Sequence, residues 1–198
     1  MNSFSALIDA LVAAPLHRRA AIEQVIRETF ERPKAVLALD MSGFSLSVRR
    51  EGILPYLCQI RRMQKLTLPI VLAFGGELVK FEADNLLAVF DDAGQATEAA
   101  LAMIAAAAVE SSETAPPLAF GIGIDYGEIL LLDRIDCFGD AVNLAHKLGE
   151  DTALPGEVLI TSEVLKQLKG EARFHLHEMD LAISGLELVV YRITHDDA

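Results

Sequence analysis

Basic residues are scarce in this chain, cysteines are nearly absent, and no long apolar run occurs. Seventeen Lys and Arg stand against 29 Asp and Glu, a net charge of −12. That deficit excludes non-specific nucleic-acid binding, which needs basic surface to displace counterions. It also repels any phosphorylated ligand at long range. Such a ligand needs a local device: metal ions, a helix N-terminus or placed lysines. The two cysteines, Cys58 and Cys137, sit in unlike contexts and read as reduced thiols. No apolar run reaches the roughly 18 residues needed to cross a bilayer. The longest candidate, "ALAMIAAAAV" from Ala100 to Val109, is short and mostly alanine. The N-terminus lacks a basic region ahead of its apolar stretch, so it does not read as a signal peptide. No internal repeat and no low-complexity linker appears. The expectation is a soluble cytoplasmic protein without a membrane span.

What is present is a globular composition. Of 198 residues, 52% are apolar and 23% charged. A chain of this length buries roughly 70% of its unfolded surface and folds without disulfides or a structural metal. The stretch from Ser3 to Phe30 reads as helical, with Ile22, Val25, Ile26 and Phe30 at helical spacing and Pro15 and Pro33 as punctuation. It either docks on the rest of the chain or pairs with a second copy. Residues 1–32 are taken as this N-terminal helical segment and 33–198 as the main domain.

The pattern then changes. "KAVLALD" (Lys34 to Asp40) is a short apolar run ending in an acid, a buried strand. "MSGFS" is a loop, and residues 45 to about 73 are mainly helical, broken by Gly52 and Pro55. "ELVKFEADNLLAVFDD" is a hairpin turning at Ala83, Asp84 and Asn85. "GQATEAALAMIAAAAVESS" is a helix. "PLAFGIGIDYGEILLL" reads as a strand, a turn near Asp125 to Gly127, and a second strand. "DAVNLAHKL" is a short helix capped by Asp140, "GEVLIT" a strand, "SEVLKQL" a helix and "LELVVYRI" a final strand. The order strand, helix, hairpin, helix, strand predicts an α+β fold. Its centre is a ferredoxin-like βαββαβ core, with helices on one face of a mainly antiparallel sheet.

Asp40 ends the first strand and Asp84 sits at the hairpin tip. In a βαββαβ core these elements are neighbours, so the two carboxylates converge and can hold magnesium through hard oxygens. Acids also favour strand ends and turns for purely local reasons. The Gly-containing loop after Asp40 leads into a helix, where free backbone N–H groups suit phosphate. Lys80 lies inside an apolar strand, either reaching past an edge or held for recognition. With Asp136 it supplies donors and an acceptor that can read the edge of a purine. Asn143 and Lys147 fall at i and i+4 and share a helix face. That face is either simply solvated or suited to a charged oxygen developing in a transition state. The glycines of "GIGIDYG" lack dinucleotide-binding spacing. His175 and His177 alternate in "RFHLHE", which reads as an exposed strand edge rather than a metal site.

Three ordered motifs carry a family resemblance: "LALDMSGFS", "GGELVKFEADNLLAVF" and "GIGIDYGE…DCFGDAVNLAHKLG…PGEVLIT". The chain resembles the class III adenylate/guanylate cyclase catalytic domain from about Lys34 to Ile193. The resemblance implies that Asp40 and Asp84, with the Met41 backbone, bind two Mg2+ ions per site, which Mn2+ can replace. It implies that Ser42, Gly43, Phe44 and Ser45 cradle the triphosphate. Lys80 and Asp136 match the base-selecting pair in its adenine-type combination, and Asn143 matches the transition-state asparagine. Lys147 stands where the family usually has a transition-state arginine, and loses that residue's planar fork. Ser184 stands where many members place a phosphate-binding lysine. The stretch from Gly127 to Asp136, which bears on dimer geometry, is shorter than in most members.

The implied function is an adenylate cyclase converting ATP to 3′,5′-cyclic AMP and pyrophosphate in signal transduction. Its site is shared across a homodimer, with metals from one protomer and Lys80, Asp136, Asn143 and Lys147 from the other. A regulatory partner acting through the N-terminal helices is left open. The alternatives are a cyclase-homology module with little turnover, or a cyclase for GTP or a pyrimidine nucleotide.

Overall fold

The computed structural model describes residues 4–42, 49, 52–110, 117–132, 135–168, 174–183 and 186–195. Two helices open the chain, α1 (Phe4–Ala13) and α2 (Leu16–Phe30), with Pro15 between them. Strand β1 (Glu31–Met41) follows without a loop, and residues 35–39 within it are buried. Helix α3 (Ile53–Ala73) leads to the hairpin of β2 (Glu77–Glu82) and β3 (Asn85–Phe90). Helix α4 (Ala93–Val109) precedes the long β4 (Phe120–Leu132) and the short β5 (Asp136–Phe138). Helix α5 (Asp140–His146) runs into a π-helical turn over Lys147–Thr152. The chain closes with β6 (Val158–Thr161), α6 (Ser162–Gln167), β7 (Phe174–Ile183) and β8 (Leu186–His195).

The sheet order is β2-β3-β1-β4-β6-β8-β7, with β5 added to β4. All pairings are antiparallel except β4 with β6. The fold is α+β, as the element order predicts, and β1 lies between β3 and β4. Helices cover both faces, not one. Leu37, Leu39, Leu86, Ala88 and Phe90 share a core with Met63, Val71 and the alanine-rich α4. Val36, Ala38, Leu87 and Val89 share another with Ala141, Val142 and Ala145 of α5. Alternation along β1 and β3 serves both cores, because successive side chains point to opposite faces.

Several elements depart from the sequence-based expectation. Residues 125–127 do not turn: Asp125, Tyr126 and Gly127 pair with Val36, Ala35 and Lys34 inside one continuous strand. An Asp-x-Gly string resembles a turn, but here the glycines of β4 serve close packing. A Cβ on Gly123 would come within 2.2 Å of the Ala145 carbonyl oxygen and 2.5 Å of the Gly149 nitrogen. Gly52, at φ +86°, stands between helical residue 49 and α3, the break that the sequence leads one to expect, but Pro55 makes none: it falls in the first turn of α3, where a missing N–H costs no helical bond. Asp140 is the first residue of α5 rather than its cap; Gly139 occupies the cap position and no side chain caps it.

The N-terminal helices dock on the sheet rather than standing free. Phe4 of α1 stacks on Phe138 of β5 with ring centroids 5.8 Å apart, and meets Phe30 edge-on at 5.2 Å.

Candidate active site

Two sheet features place the acids. Asp40 lies at the end of β1, directly opposite Asn85 in the ladder, so the hairpin tip bearing Asp84 comes beside it. The hairpin turns over Ala83 and Asp84, with Ala83 in the left-handed region at φ +50°. Tyr56, in the first turn of α3, is buried, and its hydroxyl donates to Asp84 Oδ2 at 2.9 Å. That bond fixes one Asp84 oxygen. Burial and the same carboxylate push the Tyr56 phenol well above its usual range.

Asp40 carries the clearest electrostatic mark. Its pKa is pushed up to about 7, first by burial, then by the charge of Asp84, with Glu150 and Asp151 adding to it; the Met41 N–H acts in the opposite direction. Two hard-oxygen donors therefore face each other under repulsion, and a divalent cation relieves it. Magnesium is commonly held by one or two carboxylates plus substrate phosphates and water. Among the described residues no group of three or more His, Cys, Asp or Glu forms a metal cage. The donor set thus fits an ion that shares its coordination with a phosphorylated ligand.

Lys80 and Asp136 meet. The ammonium of Lys80 on β2 lies 3.2 Å from Asp136 Oδ1 on β5 and 3.1 Å from Glu82 Oε2. Hydrogen bonding, first to Glu82 and then to Asp136, raises the Lys80 pKa against the opposing effect of burial. Cys137, next to Asp136, is buried and its thiol is pushed up to about 12, chiefly by that burial. Both cysteines are free.

Asn143 and Lys147 are exposed and one turn apart, since the Lys147 N–H still bonds the Asn143 carbonyl. Lys147 opens the π-helical turn, and its ammonium is tied to Asp151 at 2.6 Å. Ser42 lies in the turn after β1, with its N–H bonded to the Ala119 carbonyl at 2.9 Å. Gly43, Phe44, Ser45 and Ser184 lie outside the described residues. His175 and His177 are exposed on β7, the sheet edge, as expected.

Sequence reasoning misses Tyr56, Asn85, His146 and Glu150. A cavity of about 230 Å³ is lined by Lys80, Glu82, Asn85, Leu87, His146 and Glu150. The i,i+4 spacing of His146 and Glu150 is a signal that the sequence does contain. A larger cavity of about 350 Å³ lies under α1 and α2 and includes none of the predicted site residues.

Residues 82–194 match the family described as the adenylate and guanylate cyclase catalytic domain. That span includes Asp84, Asp136, Asn143 and Lys147, and leaves Asp40 and Lys80 outside. A protein called adenylate cyclase from Streptomyces coelicolor is 34% identical over 147 residues, 69% of this chain. The match spans only 37% of that relative's length. A crystal structure of an adenylate/guanylate cyclase/hydrolase from Silicibacter pomeroyi aligns with TM-score 0.72 and 29% identity, covering 84% of this chain and 98% of that one. The guanylate cyclase domain of RhGC from Catenaria anguillulae aligns with TM-score 0.74 at 21% identity, over 83% of this chain and 98% of the other. The latter likeness is one of fold.

Proposed function

Because the chain belongs to the family of adenylate and guanylate cyclase catalytic domains, we propose that it is an adenylate cyclase, converting ATP to 3′,5′-cyclic AMP and pyrophosphate. The observation that carries the choice of ATP is the Lys80–Asp136 pair at 3.2 Å. It offers a donor and an acceptor side by side, the complement of adenine's ring nitrogen and amino group. The Streptomyces relative's name points the same way.

Asp40, Asp84 and the Met41 carbonyl are the groups that would hold Mg2+ or Mn2+. Bound there, the ions supply charge neutralisation for the triphosphate and lower the pKa of the ribose 3′-hydroxyl. The protein's own part is positioning. Tyr56 holds Asp84, and the β1 register holds Asp40 beside it. The cyclisation is intramolecular, so holding the 3′-oxygen in line with the α-phosphorus provides much of the rate. Asn143 and Lys147 present an amide and an ammonium to charge developing on the phosphoryl oxygens. The reading places metal-binding groups of one protomer against the base pair and α5 of a second copy.

A second reading has one observation in its favour. Lys147 is bound to Asp151, which neutralises it and competes for its protons. A module that binds nucleotide with little turnover fits that pairing. Incubation of the purified protein with ATP, GTP, CTP or UTP, each with Mg2+ or Mn2+, separates the readings. Cyclic AMP as the main product supports the first, and binding without product supports the second. Dominant CTP or UTP turnover contradicts the base-pair argument.

A further inference from the structure

The cavity beside Lys80 contains a polar network that metal binding and the Lys80–Asp136 pair leave unused. Glu150 accepts from His146 Nδ1 at 2.6 Å and from Asn85 Nδ2 at 3.1 Å. A carboxylate only accepts, so Nδ1 of His146 carries the proton and the Asn85 amide nitrogen faces Glu150. Two consequences follow from this chemistry. In the neutral imidazole, Nε2 is left as an acceptor, and it is all that the ring can offer a ligand. Asn85 Oδ1 is a second acceptor, buried and without a partner among the described residues.

Charge and size decide which part of a nucleotide this cavity suits. Its lining carries one ammonium, Lys80, and two carboxylates, Glu82 and Glu150. That balance repels a triphosphate and tolerates an uncharged ring. A volume of about 230 Å³ is below the ~300–1,000 Å³ typical of pockets for whole drug-sized ligands, and suits a base. Beyond the adenylate cyclase reading, on which this rests, we propose that His146 is a specificity-determining residue: its Nε2 accepts from the exocyclic amino group of adenine, with Glu150 as the positioning residue that fixes the ring. A guanine carbonyl at the same place sets lone pair against lone pair. Rejection of the 6-keto purine then has a local cause besides Lys80 and Asp136.

The test uses the full chain. The ATP-to-GTP ratio is measured twice, as kcat/KM and as equilibrium affinity for fluorescent ATP and GTP analogues. His146→Leu lowers the ratio about tenfold, the value of one lost hydrogen bond with an acceptor's penalty removed for guanine. The change falls mainly in KM. His146→Gln, which returns an acceptor oxygen, recovers most of the ratio. Glu150→Ala frees the ring and lowers the ratio, while Glu150→Gln keeps an acceptor for Nδ1 and largely preserves it. A general loss of structure does not move a ratio in this pattern. A folded His146→Leu protein with the wild-type ratio in both assays overturns the proposal alone; should that variant not fold, an unchanged ratio in Glu150→Ala does so. Wild-type protein that neither binds nor converts any of the nucleotides overturns the cyclase reading, and the proposal with it.

Discussion

At the residue scale, Asp40 concentrates the conflict that a metal site resolves. Its carboxyl holds a proton up to about pH 7, against an ordinary value of 3.8. The folded state therefore binds more protons than the unfolded chain between those values, and stability falls as pH rises through that window. Asp40→Asn removes the ionisation. In metal-free protein at about pH 8 the variant has the higher Tm, and the gap narrows as pH falls toward about 4, as thermal denaturation across pH will record. In activity the sign reverses: Asp40→Ala or Asp84→Ala abolishes cyclic AMP formation with little loss of folding, checked by product assay alongside circular dichroism. Lys147 gives a second prediction at this scale. Arginine would keep the Asp151 contact and add a planar fork for phosphoryl oxygens. Lys147→Arg raises kcat by about tenfold, about 1.4 kcal/mol of barrier, in steady-state assays with ATP.

At the element scale, the site depends on how closely α5 and its π-helical turn lie on β4. Gly123 and Gly149 make that approach possible: a Cβ on Gly149 would come 2.6 Å from the Ala38 carbonyl oxygen. Gly123→Ala pushes the turn bearing Lys147 and Glu150 off the sheet. It costs about 3 kcal/mol, visible as a lowered denaturation midpoint, and lowers activity further because Asn143 moves with α5. This contact also marks where the sequence stops being legible. Strand β1 and the β2–β3 hairpin are readable because their apolar runs and turn residues act locally, so Asp40 and Asp84 can be brought together from sequence. Strand β4 is misread because "IDYG" resembles a turn, while its true constraint is a helix packed across the sheet. Strand β5 has only three residues and gains its place from pairing with β4. The π-helical turn at Lys147 and the Tyr56–Asp84 bond join residues through tertiary packing, which leaves no periodic trace. The His146–Glu150 pair had a visible spacing, but its meaning required the cavity.

At the scale of the whole molecule, the proposed function asks an acidic chain of net charge −12 to hold a polyanion. The residues suited to this are unevenly placed: Asp40 and Asp84 at one end of β1 and β3, Lys80 and Asp136 between β2 and β5, Asn143 and Lys147 on α5 and the turn that follows it. The N-terminal helices, proposed as a segment separate from the catalytic domain, reach this set through Phe4 on Phe138, two residues beyond Asp136. In the proposed homodimer one copy supplies the cation-binding acids and the other the base pair and Asn143. Mixing Asp40→Ala protein with Asn143→Ala protein and assaying cyclic AMP tests this most directly. Each variant alone is inactive. Random pairing makes half the dimers mixed, each with one intact site of two, so the mixture should recover about a quarter of wild-type activity. Recovery near that value is the predicted result; a mixture as inactive as its components, with dimers shown to exchange subunits, contradicts the account.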